Sequence, residues 1–352
     1  MTIEQYGFSP EMLLENTAGI PARVTAVYRD RYQLISQWGE GWGRLKGASY
    51  YGGTEAFPVT GDFVLMEYIP DGDSRILQTL PRKTFFSRLN PLTRQTEQGI
   101  AANFDLVFLV QALNQNFNLN RLERYLTLAW QSGAQPVIVL TKADLTDRWA
   151  EYEAAASAIA PGVPIYTVSV QTGFGMEQLT GSLRSGQTIV LLGSSGVGKS
   201  SLVNALAGEE RMAVGDIRLE DGRGRHTTTH RQLMMLPSGV MVIDTPGMRE
   251  LGMWDVTEGL GEAFSDVEQF LGRCRFRDCS HRTEPGCAVR AAIEAGELSA
   301  DRWEHYLSLQ HEARYSDDKT AFLRQKQQRN KGIAKAVRQK KKDQRKMGGK
   351  PL

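Results

Sequence analysis

Residues 188–207 read Thr188-Ile189-Val190-Leu191-Leu192-Gly193-Ser194-Ser195-Gly196-Val197-Gly198-Lys199-Ser200-Ser201-Leu202-Val203-Asn204-Ala205-Leu206-Ala207, and this stretch decides the central fold. Its first residues form an apolar run, the mark of a strand covered on both faces. A glycine-rich turn follows, and then a helix. Residues 193–200 fit G-x-x-x-x-G-K-S, whose glycines let the backbone curl until several N–H groups aim at one phosphate chain, aided by the helix N-terminus. In this reading Gly193, Ser194, Ser195, Gly196, Val197 and Gly198 cradle phosphates, with Ser201 behind them. Lys199 reaches the β- and γ-phosphates, and Ser200 ligates Mg²⁺. The bland alternative is a glycine turn beside a chance Lys-Ser pair, which the strand before and the helix after disfavour.

Working outward, DLVFLVQAL (105–113), QPVIVLTKADL (135–145), PIYTVSV (164–170) and MVIDTPG (241–247) are further apolar runs. Helix-like segments such as NRLERYLTLAWQSG (120–133) lie between them. The alternation predicts a doubly wound α/β domain with a parallel sheet. Asp244-Thr245-Pro246-Gly247 ends one of these runs, about 45 residues beyond Lys199. Alone it is an ordinary turn. After a buried strand, Asp244 suits outer-sphere Mg²⁺ coordination and the Gly247 N–H can sense a γ-phosphate. The base is read elsewhere, by Thr141-Lys142-Ala143-Asp144. The Asp144 carboxylate can accept from guanine N1–H and the 2-amino group together. Adenine lacks that donor pair, and an unpaired carboxylate rejects it strongly. Ser169-Val170-Gln171-Thr172-Gly173 can add a backbone contact to guanine O6.

GTPases of ordinary order carry the phosphate loop first and the base-reading motifs last. Here the base motif and the serine motif precede the phosphate loop, and D-x-P-G comes last. A parallel sheet tolerates that reordering, because each motif sits at the carboxyl end of its own strand. FGMEQLTGSLRSGQ (174–187) rejoins the old ends. The chain therefore resembles a circularly permuted P-loop GTPase. Gly222-Arg223-Gly224-Arg225-His226-Thr227-Thr228-Thr229 then reads as a switch loop ordered by nucleotide or partner. Thr228, with Thr227 close behind, is the choice for completing the Mg²⁺ shell. Where an ordinary GTPase often has a water-orienting Gln, this chain has Met248. His226 is the nearest substitute in sequence, with a histidine that merely caps or packs as the equal alternative.

The flanks differ in kind. ARVTAVY, RYQLISQW, GWGRLKG and DFVLMEYI, between residues 18 and 88, read as strands separated by glycine clusters and fit a small β-barrel of the OB-fold kind. Tyr28, Tyr32, Trp38 and Trp42 interleave with Arg29, Arg31, Arg44 and Lys46 there, either as an RNA-binding face or as barrel core. All three cysteines fall within fourteen residues, as Cys274-x4-Cys279-x-His281-x5-Cys287. Three thiolates and one imidazole suit tetrahedral Zn²⁺ with no open position, hence a structural site. His311 and the remaining histidines lack sequence partners and are expected at the surface.

At 352 residues, 41% hydrophobic and 23% charged, the chain has the composition of a soluble multidomain protein. No stretch predicts a membrane span, and the first residues lack the apolar core of a secretory signal, so a cytoplasmic address is expected. Twelve of the 42 cations but one of the 40 acids lie from Arg324 onward, which leaves the rest at −9. A basic tail on an acidic body suggests a polyanionic partner, or only a solvated helix end.

Barrel, permuted GTPase and Cys3His module, in this order, resemble the bacterial small ribosomal subunit biogenesis GTPase A family. The likeness extends to GDFVLME (61–67), LPRKTFFSR (80–88) and GRGRHTTT (222–229). It covers roughly residues 18–315 and implies 18–90 as an OB-fold barrel that binds RNA, 91–255 as the permuted GTPase and 256–315 as a zinc-binding helical module. Residues 1–17 read as an N-terminal extension and 316–352 as a basic tail. The likeness also implies a monomeric factor that hydrolyses GTP to GDP, binds the 30S subunit and 16S rRNA late in maturation, and leaves after ribosome-stimulated hydrolysis. The family's catalytic histidine falls on His226. Two departures stand out: T-K-A-D replaces N-K-x-D, and Gly196 stands where potassium-stimulated relatives carry asparagine. An RNA-binding scaffold in which GTP only sets conformation is the alternative from another class, and a small-metabolite kinase a weaker third.

Overall fold

The structure is a computed structural model that describes residues 2–13, 18–47, 57–89, 97–209, 231–244 and 257–314. The Thr227–Thr229 loop, His226, Gly247, Met248 and the basic tail lie outside the described residues.

Two short 3-10 turns (Ile3–Tyr6 and Pro10–Met12) precede five strands: β1 (Ile20–Val27), β2 (Tyr32–Ser36), β3 (Gly39–Leu45), β4 (Phe63–Glu67) and β5 (Ser74–Thr79). β1 pairs with β2 and, across the closure, with β4, while β3 pairs with β5 in parallel. Closure leaves no free edge, which is how a small all-β unit avoids edge pairing. Ala22, Val24, Tyr32, Leu34, Val64, Met66 and Ile76 fill the interior. Tyr32 is thus a core residue, whereas Trp38 is 49% exposed. Four of these strands are legible as apolar runs and β5 is not: it starts at the last residue of the turn PDGDS and buries only Ser74 and Ile76 fully, so its apolar signal is weak.

A two-stranded hairpin, β6 (Phe85–Leu89) with β7 (Glu97–Ala102), links the barrel to the α/β layer. That layer runs β8 (Leu106–Ala112), α1 (Leu119–Gln131), β9 (Gln135–Thr141), α2 (Trp149–Ile159), β10 (Ile165–Thr167), α3 (Met176–Ser182), β11 (Thr188–Leu192), α4 (Lys199–Ala207), β12 (Gln232–Met235) and β13 (Met241–Asp244). Strands β10-β9-β8-β11-β13 are parallel neighbours in that order, and β12 closes antiparallel on β13. Every residue of β8 and β11 is buried, as continuous apolar strands between two helix layers must be. The one polar side chain in β8, Gln111, is satisfied by the Asn118 backbone through bonds of 3.1 and 3.3 Å.

Barrel and α/β layer share one sheet, since Ala26 of β1 faces Gln232 of β12 in an antiparallel pair. Arg23, 1% exposed, cements the junction. Its guanidinium donates to the carbonyls of Tyr6, Gly61 and Asn103 at 2.5, 3.2 and 2.7 Å, and touches Met241 Sδ at 3.2 Å. Burial pulls this group down to about 10, opposed by the charges of Asp105 and Asp62.

Helices α5 (Thr257–Ala263), α6 (Ser265–Glu268), α7 (Ala288–Glu294) and α8 (residues 300–314) complete the described chain. α8 lies against α1 through ionic side chains. Arg302 bonds Glu123 and both oxygens of Asp266, at 3.0 and 2.8 Å for the latter, with its guanidinium over the Phe264 ring. Glu123 also takes Nδ1 of His305. His305 therefore departs from the surface position expected of it: its side chain is 15% exposed and paired with a carboxylate 182 residues away. No local pattern signals such a partner.

Candidate functional site: a phosphate loop and base pocket, and a separate metal cluster

The candidate nucleotide residues gather along one edge of the parallel layer, each at the carboxyl end of a strand. Thr141 ends β9, Ser169 follows β10, Gly193 follows β11 and Asp244 ends β13. This is where open α/β sheets place ligands.

The loop 193–198 is shaped by its glycines. A side chain on Gly193 would meet the Val110 carbonyl at 2.6 Å, and Gly198 takes φ +94° as it caps α4. Val197 is buried and anchors the loop, while Ser195 and Gly196 are exposed. Lys199 Nζ donates to the carbonyls of Gly193 and Ser194 at 2.6 and 2.7 Å. These bonds hold the ammonium against the first residues of the loop's own backbone. Ser200 and Ser201 lie in the first turn of α4, where backbone N–H groups lack helical partners. Asp244, half-buried, has its carboxyl raised by burial, an effect that the charge of Lys199 opposes.

The base motif is tied to the phosphate loop. Thr141, 3% exposed, donates its hydroxyl to the Val197 carbonyl at 2.5 Å, and Lys142 Nζ donates to the Gly196 carbonyl at 2.8 Å. A hydroxyl thus braces the loop where N-K-x-D proteins use an amide. Lys142 adopts φ +60°, and the Ala143 N–H bonds the Val168 carbonyl at 3.1 Å, so the segments after β9 and β10 hold each other. Ser169 Oγ donates to Asp144 Oδ1, and the Thr172 N–H donates back to Ser169 Oγ at 3.2 Å. Buried Ser169 therefore holds one oxygen of the exposed Asp144 carboxylate. Val170 is 38% exposed beside it. One contact escapes sequence reasoning: Arg121 of α1 reaches Ser194 Oγ at 3.2 Å, across 73 residues.

Far along the chain, Cys274, Cys279, His281 and Cys287 converge, with their ligand atoms within 4.8 Å of one another. Tetrahedral zinc with Zn–S about 2.3 Å and Zn–N about 2.1 Å would separate sulfurs by roughly 3.8 Å and sulfur from nitrogen by roughly 3.6 Å. Cys274 and Cys287 sulfurs lie 4.0 Å apart, and His281 Nδ1 lies 3.4 and 3.5 Å from them. The donor set fits such a metal. His281 takes φ +59°, and its ring packs edge-on against Trp303 at 5.5 Å. Glu284 ties the loop by accepting from Ser280 Oγ and from the N–H groups of Ser280, Arg282 and Thr283; the Ser280 hydroxyl foremost holds its carboxyl at about 2.

Comparison with known proteins agrees with this geometry. A family model described as RsgA GTPase matches residues 79–254. A second, described as ABC transporter, matches 176–348, a stretch that shares the phosphate loop but not the base motif at 141–144. The small ribosomal subunit biogenesis GTPase RsgA 2 of Listeria monocytogenes serotype 4b is 47% identical over 343 residues, covering 96% of this chain and 97% of the relative. The corresponding RsgA 2 of Lactiplantibacillus plantarum is 43% identical and covers 90% and 91%. Among solved structures, YjeQ from Thermotoga maritima matches with a TM-score of 0.63 and 28% identity, over 82% of this chain and 96% of that one. YloQ, titled a circularly permuted GTPase, matches at 0.60 and 25%, over 86% and 97%.

Fold and motif order together define a circularly permuted P-loop GTP hydrolase with an N-terminal barrel. The chain belongs to the RsgA GTPase family.

Proposed function

We propose that this GTPase acts in biogenesis of the small ribosomal subunit by binding the 30S particle late in maturation, hydrolysing GTP when the ribosome stimulates it, and leaving as GDP forms. The observation that carries the reading is the convergence of Asp144, Lys199 and Asp244 on one strand-end edge in a chain whose relatives bear that name. Asp144 selects guanine through its paired acceptors. Lys199 and the N–H groups of Gly193 to Ser201 stabilise charge developing on the β–γ bridge. Mg²⁺, when bound with GTP, would neutralise the same charge, with Ser200 and Thr228 as ligands and Asp244 in its outer shell. His226 orients the attacking water when 16S rRNA or a ribosomal protein fixes its loop, and Gly247 senses the γ-phosphate.

The division into 18–90, 91–255, 256–315 and a basic tail belongs to the same proposal, as do a monomeric state and a cytoplasmic address. Cys274, Cys279, His281 and Cys287 hold one Zn²⁺ per chain as a closed structural site. On the barrel, Trp38 stacks on Tyr68 with ring centres 4.5 Å apart, and both are exposed. Arg31 lies 4.0 Å over Trp42. Such rings suit unpaired bases.

The test is the GTP hydrolysis rate against titrated 30S, 50S and 70S particles. The largest stimulation is expected from 30S. Equal rates with and without 30S would sink the ribosome-activated reading, and tight GTP binding without stimulated phosphate release would favour the scaffold. A maximal response to 50S would move the protein to the large subunit.

A further inference from the structure

The phosphate loop is gripped from three motif positions and from one outside them. Lys199 holds the carbonyls of residues 193 and 194, Lys142 that of 196, and Thr141 that of 197. The fourth grip is Arg121, whose Nη1 donates to Ser194 Oγ and to the Asn116 carbonyl, each at 3.2 Å. Arg121 is half-buried in the first turn of α1, and that turn is itself fixed. The Asn118 side chain caps it by accepting the Arg121 N–H at 2.8 Å, and Gln111 of β8 brackets the Asn118 backbone. A little further along α1, Glu123 meets Arg302 and His305, and Arg124 forms a two-pronged pair with Glu312 at 2.6 and 2.7 Å. One helix thus carries both the grip on Ser194 and the contacts to α8.

We propose that Arg121 is a positioning residue for GTP hydrolysis, fixing the first turn of the phosphate loop to a helix anchored in the C-terminal region. The inference rests on the reading of residues 193–200 as the phosphate cradle. With Arg121 removed, the three carbonyl grips remain, so the cradle stays assembled and nucleotide still binds. What is lost is fine placement of Ser194 and of the Lys199 ammonium that leans on its carbonyl. Displacements below an ångström register in the transition state far more than in ground-state binding. The effect therefore falls on kcat and leaves KM.

The test uses the full chain with R121M, which keeps an unbranched stem and removes the donors, together with R121K, S194A and the double variant R121M/S194A. Each of R121M and S194A is expected to lower kcat about fivefold, the worth of one charge-assisted hydrogen bond at a partly exposed place. KM for GTP and the affinity for a fluorescent GDP stay within about twofold, and the double variant is no slower than either single, as coupled partners require. R121K keeps a charged donor on an unbranched stem and is expected to recover part of the lost turnover. Wild-type kcat in R121M, or losses that multiply in the double variant, overturn the proposal. S194A deletes one oxygen and keeps it falsifiable should R121M unfold. Failure of the wild-type chain to bind the fluorescent GDP overturns the cradle reading itself, an outcome distinct from normal binding with unchanged kcat in the variants.

Discussion

Asp144 and Asp244 show how differently two carboxylates serve one site. Asp144 is exposed and steered by the buried Ser169, so its value lies in direction. Replacing it by Asn turns one acceptor into a donor. D144N is expected to weaken GTP on the order of a thousandfold and to improve xanthine nucleotides, whose 2-oxo group accepts that donor. Fluorescent nucleotide titration checks this, and unchanged GTP affinity would refute the base-pocket assignment. Asp244 is half-buried, and burial raises its carboxyl above the unfolded value of 3.8. Because its folded pKa exceeds its unfolded one, the ionised form costs stability at neutral pH. That cost fades as pH falls through the folded value. D244N is therefore expected to raise the unfolding midpoint of the nucleotide-free chain at pH 7, with the difference shrinking toward pH 4, and to abolish Mg²⁺-dependent turnover. A lower midpoint at pH 7 would contradict the burial argument. Both carboxylates were legible in the sequence, since each sits in a contiguous motif behind an apolar strand. Their unequal environments were not, because burial depends on what packs above them.

At the scale of elements, α1 is the busiest piece of the molecule. Its apolar face (Leu122, Leu126 and Ala129 among others) lies in the core, while Arg121, Glu123 and Arg124 reach three separate partners. Glu123 is 4% exposed, and Arg302 is 8% exposed between it and Asp266. E123Q removes the buried carboxylate that takes Arg302 and His305, while Asp266 still pairs Arg302, so the expected cost in urea denaturation is that of a charge-assisted hydrogen bond, about 2 kcal/mol. A change below about 0.5 kcal/mol, the level of an ordinary surface substitution, would show the cluster to be dispensable. The segment NRLERYLTLAWQSG reads as a helix at once, yet nothing in it marks Glu123 as buried. Its partners Arg302 and His305 stand 179 and 182 residues away. β5 is illegible in the sequence for a related reason. Its pairing with β3 and β4 closes the barrel, whereas its own residues alternate too weakly to announce a strand.

For the whole molecule, the order of motifs has a consequence. The D-x-P-G segment (244–247) is the last of the candidate nucleotide motifs, and the cysteine cluster that begins at Cys274 follows it in the chain. A closed Cys3His site contributes its metal affinity to local folding. Metal analysis is expected to find one zinc per chain. C279S, or chelation after mild unfolding, is expected to lower the thermal midpoint of the C-terminal region while leaving GDP affinity within about twofold, because the strands that carry the nucleotide motifs do not depend on the metal. A metal-free protein with an unchanged midpoint would remove the structural role.

The sequence by itself determined what is local: a glycine-rich loop between strand and helix, a candidate base-reading carboxylate, three cysteines and a histidine at short spacing, and a motif order that one parallel sheet accommodates. Those features need a few neighbouring residues to have the right backbone habit, and neighbours along the chain are visible to any reader of it. Tertiary structure alone decided how the parts join. It set β1 beside β12, placed Arg23 among carbonyls of three segments, and brought Arg121 onto Ser194 and Glu123 onto Arg302. Each of those contacts pairs residues far apart in the chain, with ordinary composition on both sides. They exist because burial brings the partners together and then requires every polar group among them to be satisfied.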